Sequence, residues 1–100
     1  LLDSLPDTQG VIAVSDLSAF GALTECQRRG VAVPERIWVG GFGDYEIAGV
    51  AVPAITTIDP FPREIGHRSA ALILDVLEGR QGEPAMIVLQ PDLLIRQSSR

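Results

Sequence analysis

Positive charge is scarce in this sequence. It contains no lysine and only 8 arginines against 13 acidic residues, so the formal net charge at pH 7 is −5. The arginines are scattered along the chain rather than clustered on one segment. A surface that binds nucleic acid needs concentrated positive charge to contact the phosphates, so direct binding of DNA or RNA by this segment is not expected.

Cysteine and long apolar runs are also lacking. Cys26 is the single cysteine and cannot form an internal disulfide bond; its place in an apolar helical pattern, without a basic partner beside it, predicts a small buried residue. The apolar runs are shorter than the roughly 18 residues that indicate a membrane span, and no basic leader is present. A reduced, cytoplasmic setting without membrane contact is therefore expected, for a chain that looks cut from a longer protein.

Apolar residues make up 46% of the 100 residues, which is typical of one folded domain. Residues 11–14 are predicted to form a buried strand, and 16–29 a helix that is capped by Ser15 or Asp16 and ends at Gly30. Residues 36–42 are predicted to form the next strand. Together they predict a βαβ unit with parallel strands and a right-handed crossover.

The remaining elements follow from apolar periodicity and from proline and glycine breakers. Asp59 is expected to cap the long second helix, and Gly79 to end it. Trp38 is exposed or buried depending on the register of its strand, and a core or packing role is the favoured interpretation. The predicted elements are a turn or short helix at 43–50, a strand at 54–58, a helix at 59–78, a loop at 80–84, and strands at 86–89 and 93–96. The fold class is therefore α/β.

Polar residues follow two of the predicted strands. Ser15 and Asp16 come after the first, and Gly43 and Asp44 after the second. Ligands of open parallel sheets bind beyond the carboxyl ends of the strands, so these residues are expected along one edge. There they would offer hydroxyl, carboxylate and backbone N–H groups to a small polyhydroxy ligand. The alternative, favoured for Asp16 taken alone, is that they only cap a helix and a turn.

No arrangement of residues predicts catalysis or metal binding. Ser98 and Ser99 have no base beside them, and no G-x-S-x-G turn exists. The glycines at 40–43 do not fit the dinucleotide fingerprint G-x-G-x-x-G, because position 46 is Glu. His67, the only histidine, lies among charged residues and lacks partners for a metal. No catalytic residue, metal or cofactor is expected.

Several short motifs occur in a characteristic order. The residues that carry them are Asp16, Ala19, Gly21, Gly30, Val33, Pro34, Gly41, Phe42, Asp44, Pro53, Thr56, Thr57, Gly66, Pro91, Leu93 and Arg96. In this order they resemble the C-terminal half of the effector-binding domain of LacI/GalR-type bacterial transcriptional repressors. That family runs from Asn-Asp through Ala-x-Gly, Gly-x-x-Val-Pro, Gly-Phe-Asp-Asp and Pro-x-Leu-Thr-Thr to a closing Pro-x-Leu-x-x-Arg. The likeness covers nearly the whole chain.

The resemblance implies a periplasmic-binding-protein-like α/β fold, with a parallel sheet between helical layers, of which this chain holds the C-terminal half. In that fold two lobes, joined by crossing strands, close over a sugar-like effector. Residues 1–58 and 81–100 would belong to the C-terminal lobe, and the helix at 59–80 to the N-terminal lobe. The DNA-binding headpiece would lie outside these 100 residues. The implied function is effector sensing and dimerisation in a repressor.

Two departures from the family pattern bear on the effector. Ser15 replaces the Asn of Asn-Asp, and Gly43 replaces the first Asp of Gly-Phe-Asp-Asp, which often contacts the effector. Loss of that carboxylate removes an acceptor for sugar hydroxyls together with a negative charge, which favours an effector that is acidic or otherwise different from a neutral sugar. Ser-Asp combined with Gly-Phe-Gly-Asp resembles the branch that responds to gluconate-like sugar acids.

The resemblance also implies a homodimer whose interface uses the first helix. Phe20 is the candidate interface residue, and ordinary core burial of Phe20 is the equal alternative. Two other functions stay open: a sugar-binding protein of an uptake system, with the same fold, and an enzyme on a doubly wound sheet. The enzyme is disfavoured because no nucleophile, base and orienting group converge in the sequence.

Overall fold

The computed structural model describes residues 1–80 and 86–100, and its contacts divide the chain into two units. The first unit combines Leu1–Asp59 with Asp92–Arg100, and the second is Pro60–Pro91. The assignment of residues 1–58 and 81–100 to one lobe and 59–80 to the other stays a prediction.

The first unit is built on the predicted strand-helix-strand motif. Strand β1 (Gly10–Ile12) lies parallel to strand β2 (Trp38–Gly40), and helix α1 (Asp16–Arg28) connects them. The helix starts after its N-cap Ser15 and is followed by Gly30 at a φ of +70°, a conformation that glycine adopts without strain. The parallel βαβ unit is thus confirmed, with strands shorter than predicted. The burial expected for residues 11–14 is wrong, since Ile12 and Val14 are largely exposed.

The core of this unit lies between α1 and one side of the sheet. Its buried apolar residues are Ala19, Leu23, Cys26, Ile37, Val39, Ala48, Ala51 and Ile55. The first three lie on the buried side of α1, and Cys26 is the expected buried residue. The expectation for Trp38 is wrong, because its side chain is 60% exposed. Side chains alternate along a strand, so the inward-directed Ile37 and Val39 place the residue between them on the opposite side.

The strands after β2 differ from the prediction in their bounds. A parallel bridge joins Gly40 to Thr56, and strand β3 (Thr57–Asp59) then pairs antiparallel with strand β4 (Asp92–Leu94). Between β2 and β3 in sequence, helix α2 (Glu46–Val50) is the predicted short helix. The predicted strand at 86–89 is wrong, since these residues pair with no strand in the described ranges and a strand needs such a partner. Residues 81–84 of the predicted loop lie outside the described residues.

A side chain near the end of the chain forms hydrogen bonds with the rest of the first unit. Ser98 lies in a short 3-10 helix (Gln97–Ser99) and is fully buried. Its Oγ accepts a hydrogen bond from Thr56 N at 2.8 Å and donates one to Val39 O at 2.5 Å. One hydroxyl therefore bridges β2 and the residue that precedes β3, satisfying two backbone groups that would otherwise be buried without partners.

The second unit contains helix α3 (Pro62–Leu77), none of whose residues is buried. Its N-cap is Phe61, not the predicted Asp59. Residues before a proline are kept out of the helical region, so neither Asp59, before Pro60, nor Phe61, before Pro62, enters the helix. The predicted end is confirmed, with Gly79 at a φ of +73°. No helix in the described part of the chain combines the length and the apolarity that crossing a bilayer requires.

Candidate functional site

The segments that follow β1 and β2 are in direct contact. The backbone N–H of Asp16, at the start of α1, donates to the carbonyl of Phe42 at 3.1 Å. Ser15 and Asp16 therefore lie beside the turn that contains Gly43 and Asp44, as expected for the carboxyl ends of neighbouring parallel strands. Whether these residues bind an effector stays a prediction.

The Asp16 carboxylate is the centre of this edge and is fully buried. Its Oδ1 accepts from the Thr57 hydroxyl at 2.6 Å, and its Oδ2 accepts from the backbone N–H of Tyr45 at 2.7 Å. Gly41 makes room for it, since a Cβ at that position would lie 2.3 Å from Oδ1. The side chain thereby joins α1, the turn after β2, and β3, a positioning role that the capping alternative did not include.

Ser15 caps α1, as predicted. Its Oγ accepts from the backbone N–H of Ser18 at 3.3 Å and also contacts the Ser18 hydroxyl at 3.3 Å. An N-cap of this kind satisfies one of the free N–H groups in the first helical turn. Ser15 is half-buried, so its hydroxyl lies at the surface of the edge while it serves the helix.

Three consecutive amide groups in the turn after β2 donate hydrogen bonds within the protein. Gly43 N donates to Ile58 O at 2.9 Å, Asp44 N to the Thr57 hydroxyl at 3.3 Å, and Tyr45 N to Asp16. The expectation that these backbone N–H groups would be offered to a ligand is therefore wrong. They are used to attach the turn to β3 and α1, so a ligand would have to contact side chains or carbonyl groups of the turn.

Asp44 forms an ion pair with Arg96, from the end of the chain. The distance from Arg96 Nη2 to Asp44 Oδ1 is 2.9 Å, and both side chains are less than one-third exposed. Arg96 Nη1 also donates to Ile55 O at 3.3 Å. The arginine therefore brings a positive charge to the edge where the sequence alone predicted only negative charge and hydroxyls.

Sequence reasoning missed three contributors to this edge: Thr57, Tyr45 and Arg96. Thr57 and Arg96 were found as members of motifs, but nothing in their spacing assigned them a hydrogen-bond partner 41 or 52 residues away. Tyr45 belonged to no motif or pattern in the sequence that indicated a role in the site. Long-range partners of this kind are set by the strand order, which local patterns do not report.

Other residues singled out in the sequence lie away from this edge. Phe20 is on α1 with 38% of its surface exposed, so it is not a core residue. His67 is exposed on α3. Burial raises the pKa of the Cys26 thiol, which makes it less reactive at neutral pH. Within residues 1–80 and 86–100, no three potential metal-binding side chains come together.

Residues 1–99 match the family described as periplasmic binding protein-like domain. The chain is 36% identical over 98 residues to the HTH-type transcriptional regulator CelR of Thermobifida fusca, covering 98% of this chain and 29% of that protein. It is 39% identical over 100 residues to the HTH-type transcriptional regulator GntR of Pseudomonas aeruginosa, covering 99% and 29%. This chain thus spans about three tenths of the length of these relatives.

A solved structure, the transcriptional regulator CelR in complex with cellobiose, superposes on this chain with a TM-score of 0.93. The identity is 35%, and the likeness covers 97% of this chain and 30% of that one. These findings confirm the predicted α/β, periplasmic-binding-protein-like fold, present here in part, and the resemblance to effector-binding domains of LacI-type regulators.

Proposed function

Because the chain belongs to the family of periplasmic-binding-protein-like domains, we propose that it is the effector-sensing part of a bacterial transcriptional repressor. Its effector is a sugar or a sugar acid. The two relatives described above are transcriptional regulators, which supports this function over an uptake protein or an enzyme. Binding of DNA through a separate headpiece, a cytoplasmic location and homodimer formation belong to the same proposal.

The observation that carries the proposal is the contact between the segments after β1 and β2. Asp16 joins these two segments to β3, so the edge is a fixed surface. Ser15, Gly43 and Asp44 lie on it, with Arg96 beside Asp44. An effector that bound this edge and a second lobe would favour the closed arrangement of the two, and so change the spacing of DNA-binding headpieces.

Within this proposal the effector is a sugar acid such as gluconate. Gly43 leaves the turn without the carboxylate that the family pattern has there, and the Arg96 guanidinium balances the charge of Asp44, the carboxylate that remains in the turn. A carboxylate ligand gains from a nearby guanidinium and suffers from nearby carboxylates. The neutral sugar cellobiose is bound in the CelR complex, so both classes of ligand need to be compared.

Isothermal titration calorimetry of the full-length protein with gluconate and with glucose tests this. Gluconate is expected to bind at least about tenfold more tightly than glucose, which corresponds to about 1.4 kcal/mol. Tight glucose binding without gluconate heat would remove the sugar acid and keep the sugar sensor. No heat from either ligand would count against the sensory function at this edge.

The proposed homodimer uses α1, with Phe20 at the interface. Phe20 is 38% exposed and Leu17, also on α1, is 63% exposed, which leaves apolar surface on the side of the helix away from the core. Such surface is typical of an interface when it is contiguous. Sedimentation of the full-length Phe20→Asp variant is expected to show monomer where the wild type shows dimer. A variant that stays dimeric at the same concentration removes Phe20 from the interface.

A further inference from the structure

We infer that Tyr45 contacts the effector with its ring, and that Gly43 is required because that ring lies against it. This inference rests on the proposed function and adds a residue to its binding edge. It follows from an elimination among the groups of the turn after β2, from the geometry at position 43, and from the chemistry of a phenol ring.

The N–H groups and the Asp44 side chain of the turn after β2 already have partners within the protein. The N–H groups of Gly43, Asp44 and Tyr45 all donate to groups within the protein. The Asp44 carboxylate is paired with Arg96 through Oδ1, which balances its charge. Gly43 has no side chain. The Tyr45 side chain is different, since it is 51% exposed and its hydroxyl has no hydrogen-bond partner in the described part of the chain.

The geometry at position 43 links the two residues. A Cβ on Gly43 would lie 2.9 Å from Tyr45 Cε1 and 3.3 Å from Cδ1 and Cζ. Gly43 also has a φ of +119°, which side-chain-bearing residues rarely adopt. The ring therefore occupies the space that a side chain at 43 would take, so the turn presents an aromatic surface there in place of a carboxylate.

The backbone that carries the ring is fixed, and Gly43 allows the ring to lie against it. Asp16 Oδ2 accepts a hydrogen bond from Tyr45 N at 2.7 Å, and the N–H groups of residues 43 and 44 donate hydrogen bonds to β3. A ring on a turn fixed in this way is pre-oriented, so binding a ligand costs little further ordering. Aromatic rings bind the C–H surfaces of sugars and polyols, and a tyrosine adds a hydroxyl that can donate or accept. A polyhydroxy ligand offers both.

The test compares two substitutions that remove an aromatic ring from the full-length protein. Tyr45→Leu removes it from the turn, whereas Trp38→Leu removes an exposed ring at the opposite end of β2. Titration with gluconate is expected to show a dissociation constant at least tenfold higher in Tyr45→Leu. In Trp38→Leu it is expected to stay within twofold of the wild-type value. Tyr45→Phe, which loses only the hydroxyl, is expected to lie between them, about threefold weaker.

Unchanged affinity in both Tyr45→Leu and Tyr45→Phe would overturn the inference. Melting temperatures separate binding from folding, because a ring that only packs on Gly43 would lower the melting temperature and leave the affinity of the folded protein unaltered. If the wild type binds glucose and not gluconate, the same variants are compared with glucose. If the wild type binds neither ligand, the result counts against the sensory function at this edge. That outcome is seen with the wild type alone.

Discussion

Helix α1 in the first unit and helix α3 in the second carry the same kind of sequence pattern but differ in what they bury. Both have apolar residues at helical spacing, yet Leu23 of α1 is 1% exposed while Leu74 of α3 is 52% exposed. The polar contacts differ likewise. Asp16 of α1 is bonded to residues 29 and 41 positions away, whereas Asp75 of α3 is bonded to Arg80. Periodicity thus reports that a helix has an apolar side, and tertiary contacts decide what covers it.

The largest difference between the two regions is expected at these two aspartates. Asp16→Ala removes two hydrogen bonds to a buried carboxylate and leaves Tyr45 N and the Thr57 hydroxyl without their acceptor. Since hydrogen bonds to charged groups contribute about 1.5–3 kcal/mol each, the expected loss in the free energy of unfolding is about 4 kcal/mol. Asp75→Ala removes an exposed ion pair and is expected to cost less than about 1 kcal/mol.

Urea denaturation of the wild-type and variant chains measures both values. Asp16→Asn is the informative intermediate, because an amide keeps one oxygen acceptor and is expected to lose about half as much. If Asp75→Ala destabilised the chain as strongly as Asp16→Ala, α3 would be covered in solution by a surface that the described residues do not provide. The contrast between the units would then disappear.

The same contrast shows what the sequence could predict. The βαβ unit, the cap at Ser15 and the helix ends at Gly30 and Gly79 depend on residues close in the chain, and these predictions were confirmed. Trp38 was misplaced because a strand's register, which decides which side chains point inward, is set by its neighbours. The strand at 86–89 was predicted from apolar residues alone, but a strand also needs a partner.

The candidate site divides in the same way. The edge itself could be predicted, because it follows from two consecutive parallel strands. The hydrogen bonds and ion pairs within the edge could not be predicted. The pairs Asp16 with Thr57 and Asp44 with Arg96 join residues 41 and 52 positions apart, and no local pattern specifies them. Gly43 was interpreted as a lost carboxylate, and the structure adds a conformational reason for glycine, its φ of +119°.

A second, smaller difference is expected between two glycines. Gly43→Ala places a Cβ against the Tyr45 ring at a φ that alanine rarely adopts, so a loss of about 2 kcal/mol in the free energy of unfolding is expected. Gly66 lies inside α3 with open space where its Cβ would be, and Gly66→Ala is expected to stabilise the chain by about 0.5–1 kcal/mol. Circular-dichroism melts distinguish the two signs. A stabilising Gly43→Ala would show that the turn can relax away from its positive φ.

The smallest expected effect concerns the ion pairs of the two helices. In α3, Arg68 pairs with Glu64 within one turn. In α1, Glu25 accepts from both Arg28 and Arg29, and Arg29 reaches back to Asp3 near the start of the chain at 2.8 Å. The hydrogen bonds from Arg28, and then those from Arg29, lower the pKa of Glu25 from 4.5 to about 2. Arg29 likewise lowers the pKa of Asp3.

The sign of the resulting pH dependence follows from these directions. A carboxylate with a lower pKa in the folded chain binds a proton less readily there than in the unfolded chain, so its contribution to stability is complete above pH 4.5. As the pH falls from 4.5 towards 2, the proton neutralises Glu25 and the contribution is lost. The melting temperatures of wild type and Glu25→Gln are therefore expected to differ at pH 6 and to converge near pH 2. Because the groups are exposed, 1 M salt is expected to shrink the difference at pH 6 as well. A difference that stayed constant across this range would mean that the glutamine changes packing on α1, and that the ion pairs of Glu25 contribute nothing to stability.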